Sequence, residues 1–259
     1  MDIALLVMAI GAIGALIYAA FIFPTQWLKV EHVRYSAGIG ARILQISDLH
    51  VEMNRISARR LQAEINRIRP DYIFLTGDFT SRPRHLPKLE HYLSPIAASG
   101  VPLFAVLGNH DHKFSRPSLG RMIAMMNRLG IVVLRNESVS LPGFDLVGID
   151  NYSTGHSRIG KAFRDVTGAK PILVITHDPN LVLDLRRPFT YLMAGHLHGK
   201  QLNIPYFYAL RPKGPLPASG VYKGFHQSAN GAFYISKGIG QVGLNARFMV
   251  RSEITVHEL

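Results

Sequence analysis

Five short, mainly apolar runs in this chain each end on Asp, Asn or His. "RILQIS" (42–47) passes into Asp48 and His50, "YIFLT" into Gly77 and Asp78, and "PLFAVL" into Gly108, Asn109, His110 and Asp111. "ILVIT" passes into His177 and Asp178, and "TYLMA" into Gly195, His196 and His198. Runs of this length, rich in aliphatic and β-branched residues, read as buried strands. Helical patterns over 56–69 and 118–130 alternate with them, which is the signature of an α/β fold. In open α/β sheets, functional groups gather beyond the carboxyl ends of the strands. Strands sharing one sheet would bring all five deliveries into a single cleft.

The spacing within each delivery carries its own chemistry. Residues i and i+2 of an extended chain point the same way. Asp48 with His50, and His196 with His198, can each aim two ligands at one point. The assembled set is Asp48, His50, Asp78, Asn109, His177, His196 and His198. Four imidazoles, two carboxylates and an amide exceed one tetrahedral zinc site and suit two divalent ions sharing a carboxylate. Such a donor set accepts manganese, iron or zinc. The chain has no cysteine, so thiolate sites and disulfides are excluded. Two dications with two carboxylates keep a surplus of positive charge, which an anionic phosphate offsets.

The ordered set D-x-H, GD, GNHD, H, GHLH resembles the calcineurin-like metallophosphoesterase superfamily. The closing stretch "GIGQVGLNARFMVRSEITVHEL" resembles the tail of its small bacterial membrane-associated members. The resemblance implies a four-layer α/β/β/α sandwich of two mixed sheets. It implies that Asp48, His50, Asp78 and His198 hold one metal and that Asp78 (bridging), Asn109, His177 and His196 hold the other. His110 would protonate the leaving oxygen or position the phosphate, while a water activated by the ions attacks phosphorus. Some members carry GD-x-x-DR, in which the second Asp pairs with the catalytic His. Here the stretch is "GDFTSR": Ser81 takes that place and Arg82 keeps the Arg. The expectation is that Asp48 or Asp111 orients His110 instead, and that Arg82 grips phosphate through its planar fork.

Residues Ile3 to Phe23 form 21 consecutive uncharged residues. As a helix they span about 31 Å, the thickness of the hydrocarbon layer of a bilayer. Pro24 is expected to end the run. No basic region precedes it, no twin arginine is present and no small-x-small cleavage site follows, so it reads as a retained anchor rather than a cleaved signal. The first cations, Lys29, Arg34 and Arg42, lie downstream, which places the body on the cytoplasmic side of the inner membrane as a single-pass protein. The organisation expected is an anchor at 1–24, a linker and first edge segment at 25–40, and a metallophosphoesterase domain at 41–259.

The formal charge is +12, from 29 Lys and Arg against 17 Asp and Glu, which favours an anionic partner. Three substrates fit: a nucleotide-linked lipid such as UDP-2,3-diacylglucosamine, which pyrophosphohydrolases of similar layout cleave; soluble nucleotides; or nucleic acid. The anchor favours the first and disfavours the last. A membrane-tethered binding protein without turnover is the alternative class, and the intact His110 and ligand set oppose it. Residues 202–226 mix Pro, Tyr, Phe, Arg and Lys and are expected to form a substrate-facing loop. Met122, Met125 and Met126 are expected in the core. His32, His85, His91, His112, His156, His226 and His257 are expected to be structural or at the surface, with His112 the nearest to the cleft.

Overall fold

A computed structural model describes residues 2–204 and 212–259. Two six-stranded sheets face each other. The first contains β1 (Lys29–Arg34), β2 (Arg42–Ile46), β3 (Tyr72–Thr76), β4 (Leu103–Val106) and β5 (Ile131–Val133). The second contains β6 (Glu137–Leu141), β7 (Phe144–Gly148), β8 (Ile172–Ile175), β9 (Tyr191–Ala194), β10 (Gly224–Ser228) and β11 (Gly231–Ile235). The last strand, β12 (Glu253–Glu258), returns to the first sheet between β1 and β2. The orders are β1-β12-β2-β3-β4-β5 and β10-β11-β9-β8-β7-β6. Both sheets are mixed. β12 runs antiparallel to β2, and β6 and β10 run antiparallel to their neighbours, while β2–β5 and β7–β8–β9–β11 are parallel.

The five ligand-bearing strands therefore do not share one sheet. β2, β3 and β4 lie in the first and β8 and β9 in the second, and the cleft is built where the carboxyl ends of both sheets meet.

Three apolar layers hold the sandwich together. Between the sheets, Ile43, Phe74 and Phe104 meet Phe144, Leu173 and Tyr191. Outside the first sheet lie helices at Ala58–Ile68, Leu86–Ala97 and Arg116–Arg128. Leu61, Ile65, Leu93, Ile96 and the three methionines Met122, Met125 and Met126 fill that layer, as their spacing predicts. The first of these helices starts on Ser57, whose hydroxyl accepts from Arg60 N at 3.2 Å, and closes on Arg69 in the left-handed region. Outside the second sheet, short helical turns bury Ala162, Phe163, Leu181 and Leu216.

The N-terminal helix runs further than the proline suggests. An α-helix at Ile3–Ile17 passes through a π turn at Tyr18–Ile22 into a helical turn at Phe23–Gln26. Pro24 sits in the first turn of that last piece, where a missing N–H costs nothing. The 24 residues Ile3–Gln26 are long and apolar enough to cross a membrane; their most apolar stretch has mean hydropathy 2.5 and no buried residue, and Thr25 at the foot is buried against the body.

Candidate active site

Both histidine-rich turns converge on Asp78. Its Oδ2 lies 3.4 Å from His50 Nε2 and 3.3 Å from His177 Nε2, so one carboxylate oxygen stands between two imidazoles. Its Oδ1 accepts from His110 N at 2.8 Å. On one side, Asp48 Oδ1 is 3.3 Å from His198 Nε2, and the His50 and His198 rings stack with centroids 5.3 Å apart. On the other, His177 Nε2 is 3.2 Å from both Asn109 Oδ1 and His196 Nδ1. Asp48, His50 and His198 form one group whose ligand atoms lie within 4.8 Å of one another, and Asp78, His177 and His196 form a second.

The backbone is shaped to make this possible. Asp48, His50, Asp78, His196 and His198 all have positive φ, from 36° to 72°. Such residues are uncommon away from glycine, and they cluster where function needs a tight turn. Two glycines allow the close approach of the strands. A Cβ on Gly108 would lie 2.1 Å from Asp78 Oδ1, and one on Gly195 would lie 1.9 Å from Ser47 Oγ.

Backbone and carbonyl partners fix the orientation of each group. His177 donates Nδ1–H to Thr76 O at 2.8 Å, which turns Nε2 toward the cluster. Asp48 accepts from His196 N at 3.1 and 3.2 Å and from Ser47 Oγ at 2.6 Å. Asp111 accepts from Gly108 N, Asp78 N and Phe79 N at 2.8 to 3.0 Å. Asp111 is thus a buried clamp on the two loops. Neither Asp48 nor Asp111 orients His110.

The group that meets His110 is Ser81, whose Oγ lies 2.9 Å from His110 Nδ1. Behind it stands Glu52, a residue the sequence reading passed over. Glu52 accepts from Ser81 N at 2.7 Å and from Thr80 Oγ1 at 2.8 Å. The only hint of this in the sequence was the position of Glu52, two residues beyond His50 in "DLHVE". Arg82 stays outside the cluster. It is exposed on extended backbone, so its side chain departs opposite to that of Ser81, and among the described residues no hydrogen bond or ion pair ties it to the site. His112 is not in contact with the cluster either. It is bonded to Asp150, which also accepts from Arg135, and its ring stacks on His156 at 3.8 Å.

Charge and burial set the protonation pattern. Burial would depress His177, but the Asp78 carboxylate outweighs it and raises this imidazole to about 10. The same pairing holds Asp78 well below the usual carboxylate range against its own burial. Burial, reinforced by the His177 charge, pushes His196 down to about 3, and His198 is also held well below its usual value. Burial pushes His110 to about 4 despite the nearby Asp78.

A recess of about 250 Å³ opens beside His196, lined by Tyr152, Ser153, Asp178, Asn180 and Lys213 among others. Burial lowers Lys213 below the usual lysine range, and among the described residues its ammonium makes no hydrogen bond or ion pair. Asn180 pins this segment by donating to Lys213 O at 3.0 Å and accepting from Leu216 N at 3.0 Å. Of the loop expected over 202–226, Lys213 reaches the site and Leu216 is core, while Tyr206, Phe207, Tyr208 and Arg211 lie outside the described residues.

Residues 41–200 match the calcineurin-like phosphoesterase family, a span that includes every ligand-bearing strand end. The chain belongs to that family. This calcineurin-like phosphoesterase is a metal-dependent phosphoester hydrolase, and the family uses dinuclear divalent metals. Its residues fit such a pair: among the described residues, His50 Nε2 and His198 Nδ1 are buried without hydrogen-bond partners, in a cluster of imidazole and carboxylate donors. It is 34% identical to the uncharacterized metallophosphoesterase YkoQ of Bacillus subtilis, over 96% of this chain and 98% of that one. It is 25% identical to the UDP-2,3-diacylglucosamine pyrophosphatase LpxG of Chlamydia trachomatis, over 64% of this chain and 66% of that one. In fold it resembles TT1561 of Thermus thermophilus, with a TM-score of 0.50 at 11% identity over 77% of this chain and 90% of that one.

Proposed function

We propose that this phosphoesterase is a membrane-anchored pyrophosphohydrolase or phosphodiesterase of the inner membrane, with its body in the cytoplasm, that cleaves a nucleotide-linked lipid such as UDP-2,3-diacylglucosamine. The observation that carries the reading is the convergence of both sheets on Asp78, next to a recess lined by the buried Lys213, a cation beside the cluster. Asp48, His50, Asp78 and His198 would hold one ion, and Asp78, Asn109, His177 and His196 the other. Bound divalent ions lower the pKa of water and neutralise phosphoryl oxygens. The protein's own residues do the rest. Ser81, backed by Glu52, engages His110 Nδ1 and leaves Nε2 for the phosphoryl group, to which it donates a hydrogen bond that positions the leaving oxygen. Lys213 binds the second phosphoryl group of a diphosphate, with which its ammonium forms a charge-assisted hydrogen bond. The exposed N-terminal helix and the LpxG relative support a substrate held in the membrane.

The test is incubation of the purified protein with Mn²⁺ and UDP-2,3-diacylglucosamine, following UMP release, with Asp78→Ala as control. UMP from the parent and none from the variant is the expected result. No UMP, with bis-p-nitrophenyl phosphate still cleaved, would retire the lipid substrate and leave a phosphodiesterase of soluble nucleotides.

A further inference from the structure

The N-terminal helix does not end in a bare stalk. Arg247 N donates to Phe21 O at 2.9 Å and Ser252 N to Pro24 O at 3.1 Å. The Phe21 ring stacks on Phe248 with centroids 5.0 Å apart. The Arg251 guanidinium lies over the Trp27 ring, 3.5 Å from its centroid, and donates to Trp27 O and Leu28 O. Leu202 bridges to Phe248, and Phe248 N donates to Gln201 O at 2.9 Å. Gln201 N in turn donates to His198 O at 2.9 Å. The foot of the helix, residues 244–252 and residues 201–204 are thus one hydrogen-bonded unit, and that unit begins at a candidate metal ligand.

This unit carries an unusual surface. Trp27 is 50% exposed, Ile204 40%, Leu244 59% and Met249 71%. Among the described residues after the helix, only Val132, Leu183 and Phe225 expose a large apolar side chain to a comparable degree. Single exposed apolar residues are ordinary on a soluble protein, but a cluster of them marks an interaction surface. Here the cluster lies at the foot of a helix whose apolar stretch is unburied and has a mean hydropathy of 2.5. Its aromatic residue is a tryptophan paired with an arginine, the combination that settles at the membrane–water boundary.

We infer that this surface docks on the bilayer: Trp27, Ile204, Leu244 and Met249 enter the boundary between headgroups and acyl chains, with Arg251 among the lipid phosphates. The partner is a phospholipid membrane, and it is the same membrane that the helix enters. The inference rests on reading Ile3–Gln26 as a span, and adds that the catalytic body lies flat against the surface rather than on a tether. His198 is only a short segment from this surface, so the site opens at headgroup level and meets a lipid-linked phosphate without extracting the lipid.

The chain has one tryptophan and no cysteine, so single probes can be placed cleanly. The full-length protein is reconstituted in nanodiscs of phosphatidylcholine and phosphatidylglycerol containing nitroxide-labelled lipid. Trp27 is read directly, and Leu244→Cys, Met249→Cys and the control Val132→Cys each carry a bimane label. Quenching of Trp27 and of both loop labels at least about threefold above Val132 is expected for side chains at interfacial depth. Quenching of Trp27 with the 244 and 249 labels at the control level would overturn the docking surface and leave a tethered body. An unquenched Trp27 would overturn the span itself, and the docking surface with it.

Discussion

The first sheet supplies both carboxylates of the site, Asp48 from β2 and Asp78 from β3, together with His50, Asn109 and His110. The second supplies His177, His196 and His198. Its one adjacent carboxylate, Asp178, lines the recess beside His196, and its Oδ1 accepts from Asn180 N and Nδ2 at 2.9 and 2.7 Å. The carboxylates therefore sit on one sheet and only imidazoles on the other, and the site exists only where the two are correctly aligned. Cross-sheet bonds set that alignment: His177 Nδ1 to Thr76 O, His196 N to Asp48, and Gln45 Nε2 to Ala194 O at 2.9 Å. The difference teaches that the metal centre belongs to the interface between the sheets rather than to either one.

The largest effect that breaks this arrangement should come from Asp78→Ala, which removes the group common to both sheets. Hydrolysis of bis-p-nitrophenyl phosphate should fall at least about 10³-fold, as for other groups that act as a unit, and metal analysis should find both ions depleted. Next, Phe74→Ala opens the layer between the sheets and should cost about 3–5 kcal/mol in denaturant unfolding. It should also weaken metal binding. Leu61→Ala, a cut of about 2–5 kcal/mol in the helix-side layer, should leave metal affinity unchanged. Equal metal affinities in the two variants would refute the interface view.

Smaller effects sharpen it within the first sheet. Ser81→Ala should lower kcat about tenfold with little change in KM, because positioning of His110 matters in the transition state. On the second-sheet side, Lys213→Gln should raise KM about fivefold for a diphosphate substrate, through the loss of a charge-assisted contact, and leave bis-p-nitrophenyl phosphate unaffected. The subtlest test is protonic. His177 is raised to about 10, so at pH 8 it carries a proton that a metal must expel. Metal titration by calorimetry in buffers of different ionisation enthalpy should show proton release, and affinity should rise with pH. A His177→Ala variant should release fewer protons.

Much of this was legible in the sequence because strand ends announce themselves. Asp48, His50, Asp78, Asn109, His110, His177, His196 and His198 all follow apolar runs, and all fall in one cleft. What was not legible follows physical rules too. The helix at Leu86–Ala97 is disguised by Pro87 in its first turn and Pro95 near its end. The split of the five strands between two sheets depends on which edges pair, and local apolar pattern does not encode that. Glu52 acts through a backbone amide and a neighbouring hydroxyl, so no spacing rule picks it out. Pro24 looked like a stop, but the π turn before it places it where a helix tolerates proline.

The left-handed ligand turns have a further consequence. A non-glycine residue in that region costs on the order of 1–3 kcal/mol, and five of them stand in the site. Together they draw heavily on a domain stability that is typically about 5–15 kcal/mol. Ions held by those residues then favour the folded chain as well as the reaction. A cell starved of metal would lose the protein itself to proteolysis, and abundance, rather than turnover alone, would track metal supply.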